Sequence, residues 1–193
     1  MQRQSVKEGF ETGLMLGYIP AETDGKVVDN TTLLRQAATI VYQPFSTGAA
    51  GSVFLPEYCA ERVRGFAATI GLKRRWRADG STGTGSSEVS VDCFGKRGLA
   101  RLSLTRTGVD VAKQIAEFDT RDEPCRQIDF SMADTAIDAG VDAALAAGYW
   151  FCGWLPGYRA TDVFRLQKVG RAATDMSPGL VNPVARSLLA LVP

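Results

Sequence analysis

Apolar and polar positions alternate most cleanly over 88–94, with Val89, Val91 and Cys93 on one side and Glu88, Ser90 and Asp92 on the other. A period of two marks a half-buried strand. The pattern predicts a strand there, a hairpin turn at Gly95-Lys96-Arg97-Gly98, and a return strand over 99–105 with Leu102 and Leu104 on one side. Further strands are predicted over 10–19, 34–42, 53–55, 72–78, 126–130, 149–155 and 162–169. In the strand over 126–130, Ile128 and Phe130 are placed on opposite phases, as in a mostly buried strand. The helical period recurs over 57–70 (Val63, Phe66, Ala67, Ile70), over 108–118 (Val111, Ile115, Phe118) and over 134–147 (Ile137, Val141, Leu145). Gly71 follows the first of these as a C-terminal cap, and Asp134 opens the last as an N-terminal cap. Residues 1–8 read as the last turns of a helix ended by Gly9, and 183–191 as a short helix after Pro183. From residue 53 the order is β-α-β-β-β-α-β-α-β-β, which argues an α+β fold on a mixed sheet.

Composition narrows the class. The 193 residues are 45% apolar and 22% charged, ordinary for a globular protein long enough to bury a core. The net charge of +1 supplies no global attraction to nucleic acid or membrane. No apolar run approaches the roughly 18 residues of a membrane span, and the first residues lack a signal-peptide core, so a cytoplasmic location is expected. Cys59, Cys93, Cys125 and Cys152 stand far apart and read as small buried apolar residues; none forms a Cys-x-x-Cys pair. The sequence contains no histidine, which excludes Ser-His-Asp and Cys-His catalysis and leaves no metal site to predict.

One block occurs twice. Gly9-Phe10 leads through an apolar run to Gly17-Tyr18-Ile19-Pro20, and Gly148-Tyr149 leads through another to Gly153-Trp154-Leu155-Pro156. Each is a helix end, a strand and a Gly-aromatic-aliphatic-Pro stop, followed by a second strand. The repeat predicts residues 1–47 to be the last elements of a first, truncated unit, 52–170 a complete domain, and 171–193 a tail. The Gly/Ala stretch over 47–52 is the boundary.

The element order resembles that of the GNAT family of N-acetyltransferases. Val53-Phe54-Leu55-Pro56 and the helix to Ile70-Gly71-Leu72 look like the family's first strand and helix. The segment from Ala133 to Gly148, followed by Tyr149-Trp150-Phe151, looks like its fourth helix and sixth strand. The blocks from Gly148 to Pro156 and from Asp162 to Gln167 are similar to a subgroup in which GNAT-like units occur in tandem or beside ATP-binding regulatory domains. The opening block, Gly9 to Pro20, looks like the tail of such a preceding unit.

The resemblance implies a GNAT-like α+β fold, with a mixed, largely antiparallel sheet flanked by helices. It also implies acetyl-CoA or another acyl-CoA as cofactor, with direct transfer to an amine on a small molecule or protein. The family cradles the cofactor pyrophosphate on backbone N–H groups where the third helix begins, which maps to Thr107, Gly108 and Val109. Only one glycine of the family signature is present, and Asp110 would repel phosphate. The family's tyrosine acid falls on Ala144, so that role does not carry over. Asp129 is the carboxylate comparable to the family's base, and Tyr149 and Tyr158 are the tyrosines left as acids. The plainer reading makes Asp129 a solvent-facing strand residue, Tyr149 a strand-core residue and Tyr158 a loop residue. The alternative function is a GNAT-like sensory or protein-interaction domain without catalysis, bound to a partner or a tandem unit.

Other features take bland readings. Lys73-Arg74-Arg75-Trp76-Arg77 reads as a strand with a solvated basic face; a nucleic-acid clamp is disfavoured by the neutral overall charge. The Gly/Ser/Thr run over 79–87 has no lysine and leads into a strand, so it reads as a flexible connection and not a phosphate loop. Trp150, Phe151, Trp154 and Phe164 read as core first and as a partner interface second.

Overall fold

The computed structural model describes Met15–Tyr18, Ala37–Ile40, and residues 52–69, 71–95, 98–158 and 161–169. The helices expected over 1–8 and 183–191 and the linker over 47–51 lie outside them. The elements are β1 (Met15–Tyr18), β2 (Ala37–Ile40), β3 (Ser52–Phe54), a single 3-10 turn (Glu57–Cys59) running into α1 (Ala60–Thr69), β4 (Arg75–Arg77), β5 (Glu88–Phe94), β6 (Leu99–Arg106), α2 (Val111–Asp119), β7 (Cys125–Ser131), α3 (Ile137–Ala146), β8 (Trp150–Leu155) and β9 (Val163–Val169). This is an α+β arrangement. Its main sheet has the order β2-β1-β8-β9-β7-β6-β5 and is antiparallel except where β6 and β7 run parallel. Parallel neighbours need a crossover, and α2 provides it.

The expected three strands in succession before α2 are present, but they do not share one sheet. β4 does not join β5; it pairs parallel with β3 in a separate two-stranded sheet, Val53 opposite Trp76. Long-range contacts hold it there. Asp162 accepts two bonds from Arg74, Nε at 2.8 Å and Nη2 at 3.1 Å, and also the indole N–H of Trp154 at 3.1 Å and the Gly157 N–H at 2.9 Å. The Trp76 ring meets the Trp154 ring edge-on at 5.6 Å. The Phe54 N–H donates to the Met132 carbonyl at 2.8 Å and ties the small sheet to the end of β7.

With β4 elsewhere, β5 forms the margin of the main sheet. Val89 and Val91 sit opposite core residues Leu104 and Leu102, yet they are 39% and 45% exposed. Cys93 on the same side is exposed as well, unlike buried Cys59, Cys125 and Cys152.

The central strands have two unlike faces. Ala100, Leu102, Leu104, Ile128, Phe130, Phe164 and Leu166 join one apolar core with Val111, Ile115 and Phe118 of α2, Ile137, Val141 and Ala144 of α3, and Val63 and Ala67 of α1. Each Val, Leu, Ile or Phe among them contributes roughly 1.5–3 kcal/mol through burial. Ile128 and Phe130 therefore share a face, which corrects the opposite phases expected of them; residues two apart on a strand point the same way. Phe130 lies against Gly140, where a Cβ would come within 2.7 Å of its ring. Trp150, Phe151 and Trp154 are core residues. The other face carries Arg101, Ser103, Gln127, Asp129, Arg165 and Gln167, aligned across β6, β7 and β9 by register.

Candidate functional site

Three places hold the residues that the sequence singles out. The first is the turn from β6 into α2. Asp110 is the N-cap, with φ −94° and ψ 7°, and its side chain makes no capping bond to the helix N–H groups. Its carboxylate accepts the Ser87 N–H at 2.7 Å and the Gln114 side-chain amide at 3.2 Å. The Ser87 bonds hold the Asp110 carboxyl below the usual carboxylate range. The backbone N–H groups proposed for a cofactor are all engaged within the chain. Thr107 N–H donates to Asp134 Oδ2 at 2.6 Å, Gly108 N–H to Ser87 Oγ at 2.9 Å, and Val109 N–H to the Gly85 carbonyl at 3.0 Å.

The loop over 79–87 thus folds back onto the helix start. Gly85, at φ +65°, makes the bend possible. Gly108 is small because the loop backbone lies on it: a Cβ there would stand 2.4 Å from Gly85 O, Ser86 C and Ser87 N. Two carboxylates, Asp110 and Asp134, face the positive end of the helix dipole. That arrangement suits a helix start and repels an anion.

The second place is the polar face of the sheet. Asp129 and Arg165, each 2% exposed in the side chain, form a two-point pair at 2.5 and 2.6 Å. Arg101 lies 3.8 Å from the same carboxylate and donates to Gln127 Oε1 at 3.0 and 3.2 Å. Gln127 donates to Gln167 at 3.3 Å, and the buried Cys152 thiol donates to the same Gln167 oxygen at 3.3 Å. Tyr158 stacks on the Arg165 guanidinium at 5.4 Å, with its hydroxyl 3.4 Å from Arg101. Burial opposes the charge of Arg165, but the Asp129 bonds and charge outweigh it and raise the guanidinium further. The expectation of a solvent-facing Asp129 is corrected: it is a buried anion clamped by a guanidinium, with both oxygens accepting from Arg165.

Tyr149 occupies the third place, at the far end of α2. Its hydroxyl donates to Asp119 Oδ1 at 3.1 Å. Lys168 donates to Asp119 Oδ2 at 2.6 Å, and Arg126 stands 3.3 Å from Oδ1. Burial, then the Asp119 charge and bond, push the phenol above its ordinary range. Helix α2, which separates this cluster from the 107–109 turn, is about 13 Å long at 1.5 Å per residue. Asp129 points away from α2, because its neighbours Ile128 and Phe130 face the helices. The structure therefore does not bring Asp129, Tyr149 and the turn together.

No family model matches the chain, and no curated protein or solved structure matches it.

Among the described residues there is no cluster of metal-ligating side chains and no helix long and apolar enough to cross a membrane. An open hollow of about 560 Å³ is lined by Gly95, Gly98, Thr120, Arg121, Asp122, Glu123 and Pro124, not by the 107–109 turn. In the basic run, two of the three arginines are paired, Arg77 locally by Asp79 and Arg74 across the fold by Asp162. The thiols of Cys59, Cys125 and Cys152 are pushed up to about 12 by burial, which makes them poor nucleophiles. The sequence reading missed Ser87 and Gly85 at the turn and gave Asp134 only the role of α3 N-cap, a position that Ala136 takes instead. The available signal was Asp134 itself, which serves the α3 approach through one oxygen, to Ala136 N–H at 3.1 Å, and Thr107 through the other.

Proposed function

We propose that this chain is a GNAT-like interaction or sensory domain that does not transfer acyl groups. The order β5-β6-α2-β7-α3-β8-β9 on a mixed sheet agrees with the order that carries the resemblance. One observation carries the rejection of catalysis: the N–H groups of Thr107, Gly108 and Val109, which a pyrophosphate would need, all donate to acceptors of the chain itself. The carboxylates of Asp110 and Asp134 add repulsion where the phosphates would sit. Asp129 as a base would first have to leave Arg165, at the cost of an uncompensated buried charge.

The competing reading is an acyl-CoA-dependent N-acyltransferase whose 79–87 loop lifts away. It is favoured by the convergence of three N–H groups on one turn. The melting temperature with and without millimolar acetyl-CoA separates the two. A ligand at 100 times its Kd adds about 2.7 kcal/mol of stability. We expect no shift. A clear upward shift, abolished by Gly108→Glu, would reject the non-catalytic reading and direct the search to amine acceptors.

A further inference from the structure

The repeated block and the sheet register meet in one place. Alignment on Gly-aromatic-aliphatic-Pro matches Gly17 to Gly153, and hence Met15 to Phe151. In the structure β1 lies antiparallel beside β8 with Met15 opposite Gly153. Among the described residues that is the one pair between β1 and β8, and β8 is bulged between Phe151 and Gly153 where it meets β9; carried in step past this point, the pairing would set Gly17 opposite Phe151. This is the same pair with the two copies of the block exchanged. The centre of the exchange is Leu16 opposite Cys152. A strand paired at random with a relative of itself has no reason to land on its own point of symmetry.

The neighbouring strands keep the antiparallel sense, although β8–β9 carries a bulge between Phe151 and Gly153 that β1–β2 lacks. β2 pairs antiparallel with β1, as β9 pairs antiparallel with β8. Tyr18 faces Ala37 in one pair, and its match Trp154 faces Phe164 in the other. The β1–β2 pair thus lies on the β8 edge with the same antiparallel arrangement as the β8–β9 pair.

We propose that the β8 edge is self-complementary: the β1–β2 hairpin covers it within the chain, and a second copy of this chain is the partner that fits it when the hairpin leaves. The two β8 strands would then run antiparallel about Cys152, each Phe151 opposite the other's Gly153, in a closed two-fold interface. This reading goes beyond the proposed function and stands whether or not acyl-CoA binds. An uncovered β8 edge would otherwise present open backbone donors and acceptors, which favours pairing over exposure.

The test is the mass of the full chain in solution, by light scattering after size exclusion, for the wild type and for Leu16→Pro. Leu16 lies in a strand flanked on both sides, where proline breaks the ladder. The wild type is expected at one chain mass, 20.8 kDa. Leu16→Pro, with its near-UV circular dichroism retained, is expected at twice that mass, and excess peptide spanning residues 9–42 should return it to one. A folded single-chain Leu16→Pro overturns the proposal. So does a doubled mass that the peptide leaves unchanged, or a wild type already at the doubled mass. Should Leu16→Pro fail to fold, amide exchange of the wild type decides. Exchange of β1 and β2 in a local opening that leaves β7 and β9 protected supports a separable cover, and exchange only with the whole core overturns it.

Discussion

Replacing Gly108 with alanine adds one methyl group where the 79–87 loop crosses the start of α2. Its Cβ would meet three backbone atoms, Gly85 O, Ser86 C and Ser87 N, each at 2.4 Å. Backbone cannot rotate aside as a flexible side chain can, so the loop must lift. Gly108 is not in the left-handed region, so alanine adds no dihedral strain and the test is purely steric. Lifting breaks Val109 N–H to Gly85 O at 3.0 Å and Gly108 N–H to Ser87 Oγ at 2.9 Å. At about 1 kcal/mol each, the loss is about 2 kcal/mol. For a domain of this size that lowers Tm by about 4–8 °C. The assay is thermal and urea unfolding, with amide exchange at Gly108 and Val109 as the local probe. The urea midpoint should fall with its slope unchanged, and the Val109 amide should lose protection. Gly65→Ala is the control: nothing lies within 4 Å of its Cβ, and it sits inside α1, where alanine is favoured by about 0.5–1 kcal/mol. An unchanged Tm in Gly108→Ala together with a protected Val109 amide would refute the account of the occupied turn.

The Asp129–Arg165 pair should behave as a unit. Asp129→Asn or Arg165→Met alone is expected to cost about 3–5 kcal/mol by stranding a buried charge, and Asp129→Leu with Arg165→Met much less than the sum, as urea unfolding of the four chains will report. Tyr149 should make the protein alkali-sensitive. An unfolded tyrosine ionises near pH 10, while the folded phenol, raised by burial and Asp119, stays protonated. Its stabilisation is therefore complete below about pH 10 and declines above it, by at most about 1.4 kcal/mol per pH unit, less solvent screening at this half-open cluster. Unfolding free energies between pH 8 and 11 check the sign: the decline should be shallower in Tyr149→Phe.

Much of the architecture was legible because local rules decided it. The alternation over 88–94 and the return over 99–105 became β5 and β6, and Gly98, at φ +55°, supplies the turn conformation between them. The helices α2 and α3 follow their apolar periods, and β8 follows its unbroken apolar run. What escaped was decided by partners distant in sequence. Nothing within Arg75–Arg77 says that its neighbour is β3; the anchor is Asp162, 88 positions from Arg74. The alternation of Gln127, Asp129, Arg165 and Gln167 looks like a solvated strand face, because sequence shows polarity and not what covers it. At the turn, the sequence marked Thr107, Gly108 and Val109 as adjacent donors, but the acceptors come from Gly85, Ser87 and Asp134. A Gly/Ser/Thr run has the composition of a tether, and only geometry distinguishes a tether from a plug.

Asp162 also joins contacts of very different span. Two of its partners, Trp154 and Gly157, lie within eight positions along the chain, and the third, Arg74, lies 88 away. The short closures cost little entropy, so the β8–β9 hairpin can organise its carboxylate while the rest of the chain is still searching. The Arg74 closure carries the larger entropic cost, so Asp162→Asn is expected to loosen β3 and β4 before the main sheet in amide exchange.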